Sequence, residues 1–351
     1  MDSMQMTSVA AADTALDSRR EAKKATGAAV FGTFVEYYDF SVYGYVAATL
    51  AVVFFPSADS TTGLLDTLLV FGSAFLVRPL GALVFGWLGD KYGRRNSLIA
   101  CITLMGLSAT LIGLLPGYAQ IGVWAPLLLV VLRMLQGLSA GGEIGGAASY
   151  IREWASPNRP ALFISFIPSI AQLGKGLAAA VSGLAAAHLS GPELLSWGWR
   201  IPFLLALPLG MLGLWMRLSI DDSPEFKQAK RAETNVTPFI ELITNYPKPL
   251  GKVMAISLVQ NIGTYIGTVF IAVYFTSVLG FTKAEASTTV LIAVVFAAFV
   301  IPVAGYWGTK IGGRRILLFS YLASAAIKAA FAHAVTADGT KPKEMALRNL
   351  V

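Results

Sequence analysis

The chain has 351 residues, of which 55% are hydrophobic and only 13% are charged. This composition excludes an ordinary water-soluble protein, in which charged residues make up about a quarter of the total. The formal net charge is +7, but Lys and Arg are confined largely to alternate loops. This distribution argues against a nucleic-acid-binding surface. The single cysteine, Cys101, excludes a disulfide framework within one chain. The two histidines, His188 and His333, are too far apart in sequence to suggest a metal cluster.

Nine hydrophobic stretches are long enough to cross a bilayer, whose apolar core requires about 20 residues of helix. They lie at 26–55, 67–89, 97–116, 123–150, 161–189, 199–218, 253–279, 286–308 and 316–335. Lys and Arg are concentrated before the first stretch and after the second, fourth, sixth and eighth, and Arg217 is counted with the basic group after the sixth. The positive-inside rule therefore places the N-terminus in the cytoplasm. The sequence predicts an all-α polytopic membrane protein.

A sequence repeat indicates that the spans form two halves. The frame Gly-x-x-Gly-x-Lys-x-Gly-x-Arg occurs after the second span, at 86–95, and after the eighth, at 305–314. Two parallel six-span halves would leave such a repeat. The fold is then six spans plus about three of an expected six, so a truncated chain and a genuine nine-span protein both stay open. The predicted parts are a cytoplasmic tail at 1–25, a six-helix bundle at 26–218, a cytoplasmic linker at 219–252, an incomplete second bundle at 253–335 and a polar tail at 336–351.

The first span carries two acidic residues, Glu36 and Asp39, on one helical face, with Tyr43 one turn further on. A charge at the bilayer centre costs about 3 kcal/mol or more, so ionisable residues there mark candidate functional sites. Two nearby carboxylates can share a proton, because repulsion disfavours two adjacent negative charges. This suits proton coupling, although a capping or pairing role at the end of the span stays open. Tyr43 is a candidate substrate ligand.

Basic and polar residues in the next spans complete the candidate site. Arg133, Gln136 and Glu143 share one stripe of the fourth span, and Gln136 and Glu143 are candidate substrate ligands. Arg133 can pair with the carboxylates of the first span, hold an anionic substrate or belong to a fixed ion pair. Lys175 stands in the apolar fifth span, where it can bind a substrate carboxylate or pair with Glu143. Arg78, followed by Pro79 in the second span, can reach the membrane interface or a carboxylate, although a structural role is favoured.

Two further groups are candidates for binding and gating. Gln260, Asn261 and Tyr265 of the seventh span are candidate solute ligands, although such residues also make ordinary interhelical hydrogen bonds. The loop after the second span is the candidate gating loop, in which glycines allow a tight turn and the aspartate can begin the next helix or latch onto the other half. Its residues are Gly86, Asp90, Lys91, Gly93, Arg94 and Arg95.

Several ordered motifs together resemble the metabolite:proton symporter branch of the major facilitator superfamily. They are Gly32–Gly44, Arg78–Gly81, Gly86–Arg95, Arg133–Glu143, Trp197–Phe203 and Asp222–Phe226. The resemblance covers about residues 27–320. It implies major facilitator-type helical bundles in a bacterial plasma membrane, and it associates the pattern around Arg133 with proton coupling.

The function that the resemblance implies is proton-coupled symport of a small polar metabolite by alternating access. The branch includes carriers of organic carboxylates and of proline or betaine, so the substrate stays open. The expected partners are the substrate, protons and membrane lipid, with no nucleic acid and no cofactor. No nucleotide-binding loop or nucleophile motif favours an ATP-driven pump or an enzyme. A non-transporting fragment of such a carrier is the alternative.

Overall fold

The computed structural model describes residues 2–56, 60–154, 160–220, 243–265, 267, 271, 274–275 and 281–337. Within these ranges the chain is helical and contains no β-strand. The long helices there are α1 (Asp2–Phe54), α2 (Ser60–Tyr92), α3 (Arg94–Leu114), α4 (Trp124–Trp154), α5 (Pro160–His188), α6 (Arg200–Leu218), α7 (Pro247–Tyr265), α8 (Lys283–Ile311) and α9 (Gly313–Ala337). Each helix overlaps one of the nine predicted spans, which confirms the all-α class. Most of the predicted linker and the predicted tail after residue 337 lie outside the described residues.

Six helical segments are long and apolar enough to cross a membrane, counted over the described residues. They are Thr61–Tyr92, Arg94–Leu114, Trp124–Arg152, Ala161–His188, Gly191–Leu218 and Thr288–Ile311. These match the second to sixth and the eighth predicted spans. Helix α1 is less apolar because it carries Glu36, Asp39 and several tyrosines, and α7 begins with Lys248 and Lys252. The side chains of α9 are described only as far as Ala326.

Helix α1 lies at the centre of the packing and contacts α2, α4, α5 and α6. Helix α2 packs along α4, and α3 packs against α4 and α6. The core is built around buried aromatic side chains, among them Tyr38, Phe54, Trp199 and Phe203. Helix α8 of the second half lies along α5, so α5 is packed between α1 and α8. The residues of α1, α4 and α5 that the sequence singled out therefore belong to adjoining helices.

Helices α2 and α4 approach so closely that their backbones touch. A Cβ atom added to Gly137 would overlap the carbonyl group of Ala74, and one added to Gly141 would overlap the carbonyl group of Arg78. Residues four apart lie on the same face of a helix, so these two glycines form one smooth surface on α4. Small residues of this kind permit close helix packing in membranes. The contact fixes the position of Arg78 relative to α4.

The predicted gating loop is reduced to a single linking residue. Helix α2 continues to Tyr92 and α3 begins at Arg94, so Gly93 alone turns the chain. Its φ of 106° lies in a region that favours glycine. Gly86 lies inside α2, so the expectation that it shares in the turn is wrong. Gly312 joins α8 to α9 with a φ of 100°, so the sequence repeat is also a repeat of backbone conformation.

Candidate functional site

A buried chain of hydrogen bonds joins α1 to α4. Gln136 Nε2 donates to Asp39 Oδ2 at 2.8 Å, and Arg133 Nη1 donates to Gln136 Oε1 at 2.7 Å. All three side chains are at most 1% exposed. The three-residue spacing of Arg133 and Gln136 puts both on the face of α4 that meets α1. The structure thus brings together three residues that the sequence selected on two separate spans.

Aromatic rings surround the guanidinium group of Arg133. Its central carbon lies 4.2 Å from the ring centroid of Tyr43, 4.6 Å from that of Phe40 and 5.3 Å from that of Phe71. The hydroxyl group of Tyr43 donates to the carbonyl group of Thr67 at 3.1 Å. Cation–π contacts of this kind hold a guanidinium group against ring faces. Arg133 is therefore a fixed positive charge beside Asp39.

A second carboxylate on α1 faces a second arginine. Glu36 Oε1 lies 4.0 Å from Arg78 Nη2, and Glu36 is 1% exposed. Neither carboxylate oxygen of Glu36 has a hydrogen-bond partner within the described part of the chain. The Arg78 guanidinium also lies over the rings of Phe40 and Phe75, at 4.3 and 4.8 Å. The expected structural role for Arg78 is therefore incomplete, since it is also the counter-ion of Glu36.

Glu143 is paired with an arginine that sequence analysis placed elsewhere. Arg217 Nη1 donates to Glu143 Oε2 at 3.0 Å, and Arg217 Nη2 contacts Glu143 Oε1. Arg217 Nη1 also donates to the carbonyl group of Leu98. A Cβ atom on Gly32 would overlap the Arg217 guanidinium, so glycine is needed there to leave room for it. The pair links α4 to α6 and α3 and leaves no room for the suggested pairing of Glu143 with Lys175.

Arg217 counted among the basic residues of the linker after the sixth span. The structure places it in the last turn of α6, where it is fully buried. That assignment was wrong because the end of an apolar run does not show whether the last basic side chain points outward or back into the bundle. The available signal was the buried acid of the fourth span, which needed a partner.

Lys175 is a buried cation on α5. It is 6% exposed, and its Nζ lies 5.1 Å from the ring centroid of Tyr37 on α1. The neighbouring Gly174 lies against the backbone of α1. No carboxylate of the residues with described side chains forms an ion pair with Lys175. The charged group whose field acts on it is Arg78, another cation.

The candidate ligands of the seventh span lie apart from this cluster. Gln260 and Asn261 are exposed on α7, and Asn261 Nδ2 donates to the carbonyl group of Ser257 on the same helix at 2.8 Å. The side chain of Tyr265 lies outside the described residues. The structure therefore does not bring Gln260 and Asn261 together with the residues of α1, α4 and α5.

The remaining gating-loop residues connect three helices. Asp90 lies in the last turn of α2 rather than at the start of α3, and its carboxylate is 3.4 Å from Arg94. Arg95 donates to the carbonyl groups of Arg217 and Leu218 at 3.2 and 2.7 Å, so it caps the end of α6. Lys91 lies 4.7 Å from the ring centroid of Trp87. A cavity of about 230 Å³ lined by Gly86 and Arg94 lies beside them.

Known proteins are similar to this chain in both sequence and fold. Residues 29–341 match the Major Facilitator Superfamily. The chain is 35% identical over 311 residues to the proline/betaine transporter of Escherichia coli K12, covering 86% of this chain and 62% of that relative. It is 37% identical over 315 residues to the inner membrane metabolite transport protein YhjE of the same organism, covering 87% of this chain and 70% of the relative.

A solved structure confirms the architecture. The xylose transporter XylE of Escherichia coli, in a partially occluded inward-open conformation, superposes with a TM-score of 0.61 at 17% identity. The superposition covers 81% of this chain and 72% of XylE, and it bears on the fold alone. The chain spans less than two thirds of the length of the proline/betaine transporter. By its family match and its relatives, the chain belongs to the Major Facilitator Superfamily, in the metabolite:proton symporter branch.

Proposed function

We propose that this chain is a secondary active transporter that carries a small polar metabolite together with protons across a bacterial inner membrane by alternating access. The observation that carries the proposal is the pair of buried carboxylates on α1, each facing an arginine of a neighbouring helix. Asp39 is joined to Arg133 through Gln136, and Glu36 faces Arg78. Buried ionisable groups in membrane helices mark proton and substrate pathways.

The charges of this cluster couple proton binding to anion binding. Glu36 and Asp39 offset the charges of Arg78 and Arg133, and among the side chains that the structure describes no carboxylate pairs with Lys175. When Glu36 takes up a proton, Arg78 loses its counter-ion and a second positive charge becomes available to a substrate anion. A proton and an anion therefore bind more favourably together than either does alone, which is the thermodynamic requirement for symport.

Carboxylate-bearing substrates fit this cluster. The two α1 carboxylates with their arginines are proposed as the proton-coupling group, and Lys175 as the substrate ligand. Tyr43 and Gln136 are proposed to hold Arg133 in place beside the substrate. Relatives described as proline/betaine transporters support an organic carboxylate or an osmolyte of the proline or betaine type.

Other residues of the site are proposed to control the opening of the bundle. Glu143, first considered as a substrate ligand, is proposed to act with Arg217 as a clamp between helices, because Arg217 contacts both of its carboxylate oxygens. The gating loop is proposed to face the cytoplasm together with the N-terminus. The excess of Lys and Arg at that end of the helices supports this orientation.

Uptake measurements test the proposal. The chain is expressed in cells that lack related carriers, and uptake of labelled proline, glycine betaine, α-ketoglutarate, citrate and shikimate is measured with and without a protonophore. We expect uptake of at least one solute that collapses with the protonophore and with Glu36→Gln or Asp39→Asn. The matched control is Asp66→Asn, a half-exposed acid of α2. No uptake from protein shown to be in the membrane contradicts the proposal and favours a non-transporting fragment.

A further inference from the structure

Helix α5 carries a row of buried polar groups that the coupling cluster does not use. We call Gln172, Lys175 and Ser182 the α5 polar stripe. Residues three and seven apart lie on one side of a helix, so the three side chains share a face. Lys175 and Ser182 are 6% and 8% exposed, and the Oε1 atom of Gln172 is buried.

Two polar atoms of the α5 polar stripe have no hydrogen-bond partner in the described part of the chain. Gln172 Oε1 and Ser182 Oγ make no hydrogen bond there. Lys175 forms no ion pair among the same residues. Buried polar groups are normally satisfied, and each exception requires an explanation. Two such exceptions, on the helical face that also carries the buried ammonium group of Lys175, are explained together by a polar ligand that binds along α5.

The charge around Lys175 selects an anion. Tyr37 contributes a ring face, the nearby charged residue of α2 is Arg78, and the α8 residues beside Gly176 are Leu291, Val294 and Val295. A buried ammonium group beside a guanidinium group and apolar side chains requires a negative charge. Glu36 already faces Arg78, and none of the described carboxylates forms an ion pair with Lys175. A carboxylate of the substrate fits the position beside Lys175.

The unpaired atom of Gln172 is a hydrogen-bond acceptor, so it selects a donor on the ligand. Gln172 and Lys175 are three residues apart, which is a rise of about 4.5 Å along the helix. Small molecules with a carboxylate and an adjacent N–H or O–H group can reach both side chains. A fully N-methylated betaine offers no donor to Gln172.

Aromatic rings near the cluster do not provide a separate site for a quaternary ammonium group. Arg133 lies over Phe40, Tyr43 and Phe71, and Arg78 lies over Phe40 and Phe75. These ring faces already hold guanidinium groups, which carry the same charge as a quaternary ammonium. The cage of free ring faces that a betaine head group prefers is therefore occupied by the protein's own cations.

We propose that the α5 polar stripe binds a small carboxylate that also carries an N–H or O–H donor: an amino acid, an imino acid or a hydroxy acid. Lys175 binds the carboxylate, and Gln172 accepts the hydrogen bond from the donor. This assignment deepens the proposed function and rests on it for its physiological meaning, but binding can be measured without transport.

The experiment uses two ligand pairs in which methylation removes the donor, and the Gln172→Leu variant separates the loss of the donor from the added bulk of the methyl groups. Purified full-length chain is titrated with proline and N,N-dimethylproline, and with lactate and 2-methoxypropanoate, by isothermal calorimetry in detergent. We expect each donor-bearing ligand to bind at least about tenfold more tightly than its methylated partner. Gln172→Leu should remove this preference, and Lys175→Met should weaken both members of each pair about 10- to 100-fold. Lys252→Met, an exposed lysine of α7, is the matched control.

The outcomes separate this assignment from the proposed function. Equal affinity for the two members of a pair, unchanged affinities in Lys175→Met, or no binding of any probe at millimolar concentration overturns the assignment. Protonophore-sensitive uptake combined with unchanged affinities in the two variants leaves the transport function standing and removes this site. The expected binding pattern without any protonophore-sensitive uptake leaves the α5 site standing and contradicts the transport function.

Discussion

Removal of Arg217 should destabilise the protein strongly, because it leaves the buried carboxylate of Glu143 without its counter-ion. Both side chains are at most 1% exposed, and Arg217 contacts both carboxylate oxygens and the carbonyl group of Leu98. Two charge-assisted hydrogen bonds contribute about 1.5–3 kcal/mol each. Breaking a buried pair by removing one partner costs about 3–5 kcal/mol. We expect Arg217→Met to lower the free energy of unfolding by about 3–5 kcal/mol.

A double-mutant cycle provides the test. Arg217→Met, Glu143→Leu and the double variant are purified in detergent, and their unfolding is followed by tryptophan fluorescence. The double variant should recover at least about 2 kcal/mol relative to the sum of the single losses, because no buried charge is left unpaired. Arg152→Met, at an exposed position of α4, should change stability by no more than about 0.5 kcal/mol. A double variant whose loss of stability equals the sum of the two single losses would refute the clamp between Arg217 and Glu143.

Three further substitutions probe the packing and the coupling site. Gly137→Ala should destabilise the α2–α4 contact by about 1–3 kcal/mol because its Cβ overlaps the opposing backbone, whereas Gly145→Ala on the same helix meets open space; thermal unfolding compares the two. Gly93→Ala should cost about 1–2 kcal/mol from backbone strain at positive φ, and Gly86→Ala inside α2 should not lower the melting temperature. Arg133→Lys should reduce proton-driven uptake at least about tenfold, since lysine lacks the planar group that both stacks on the rings and reaches Gln136; unchanged uptake at equal membrane abundance would contradict its role.

The buried polar cluster of α1 and α4 could be predicted from sequence, because charged residues inside a long apolar run can be recognised without a structure. Asp39, Arg133 and Gln136 stood out as polar groups inside long apolar runs, and helical spacing was enough to put the last two on one face. Their mutual contact across α1 and α4 required only that the polar faces of two adjacent helices turn towards each other. The gain from pairing buried polar groups makes that orientation strongly favoured.

The partners of the other charged residues could not be predicted, because pairing depends on how each helix is rotated about its own axis. Glu143 had Lys175 as its suggested partner, yet a glycine on α1 makes space for Arg217 to reach it from α6. Arg78 depends on the close contact between α2 and α4, which no single-helix pattern shows. The seven-residue gap between the second and third predicted spans also concealed that one glycine makes the whole turn.

The backbone contact between α2 and α4 has a consequence for the energetics of a transport cycle. Because the backbones of α2 and α4 touch at Gly137 and Gly141, we expect the two helices to move as one unit, with Arg78 and Arg133 at a nearly constant separation. The positive potential of these two arginines would then be preorganised and require no reorganisation energy in each turnover of the proposed cycle. In that cycle the rearrangement is left to protons, to the substrate and to the other helices, and α2 and α4 provide a fixed positive potential.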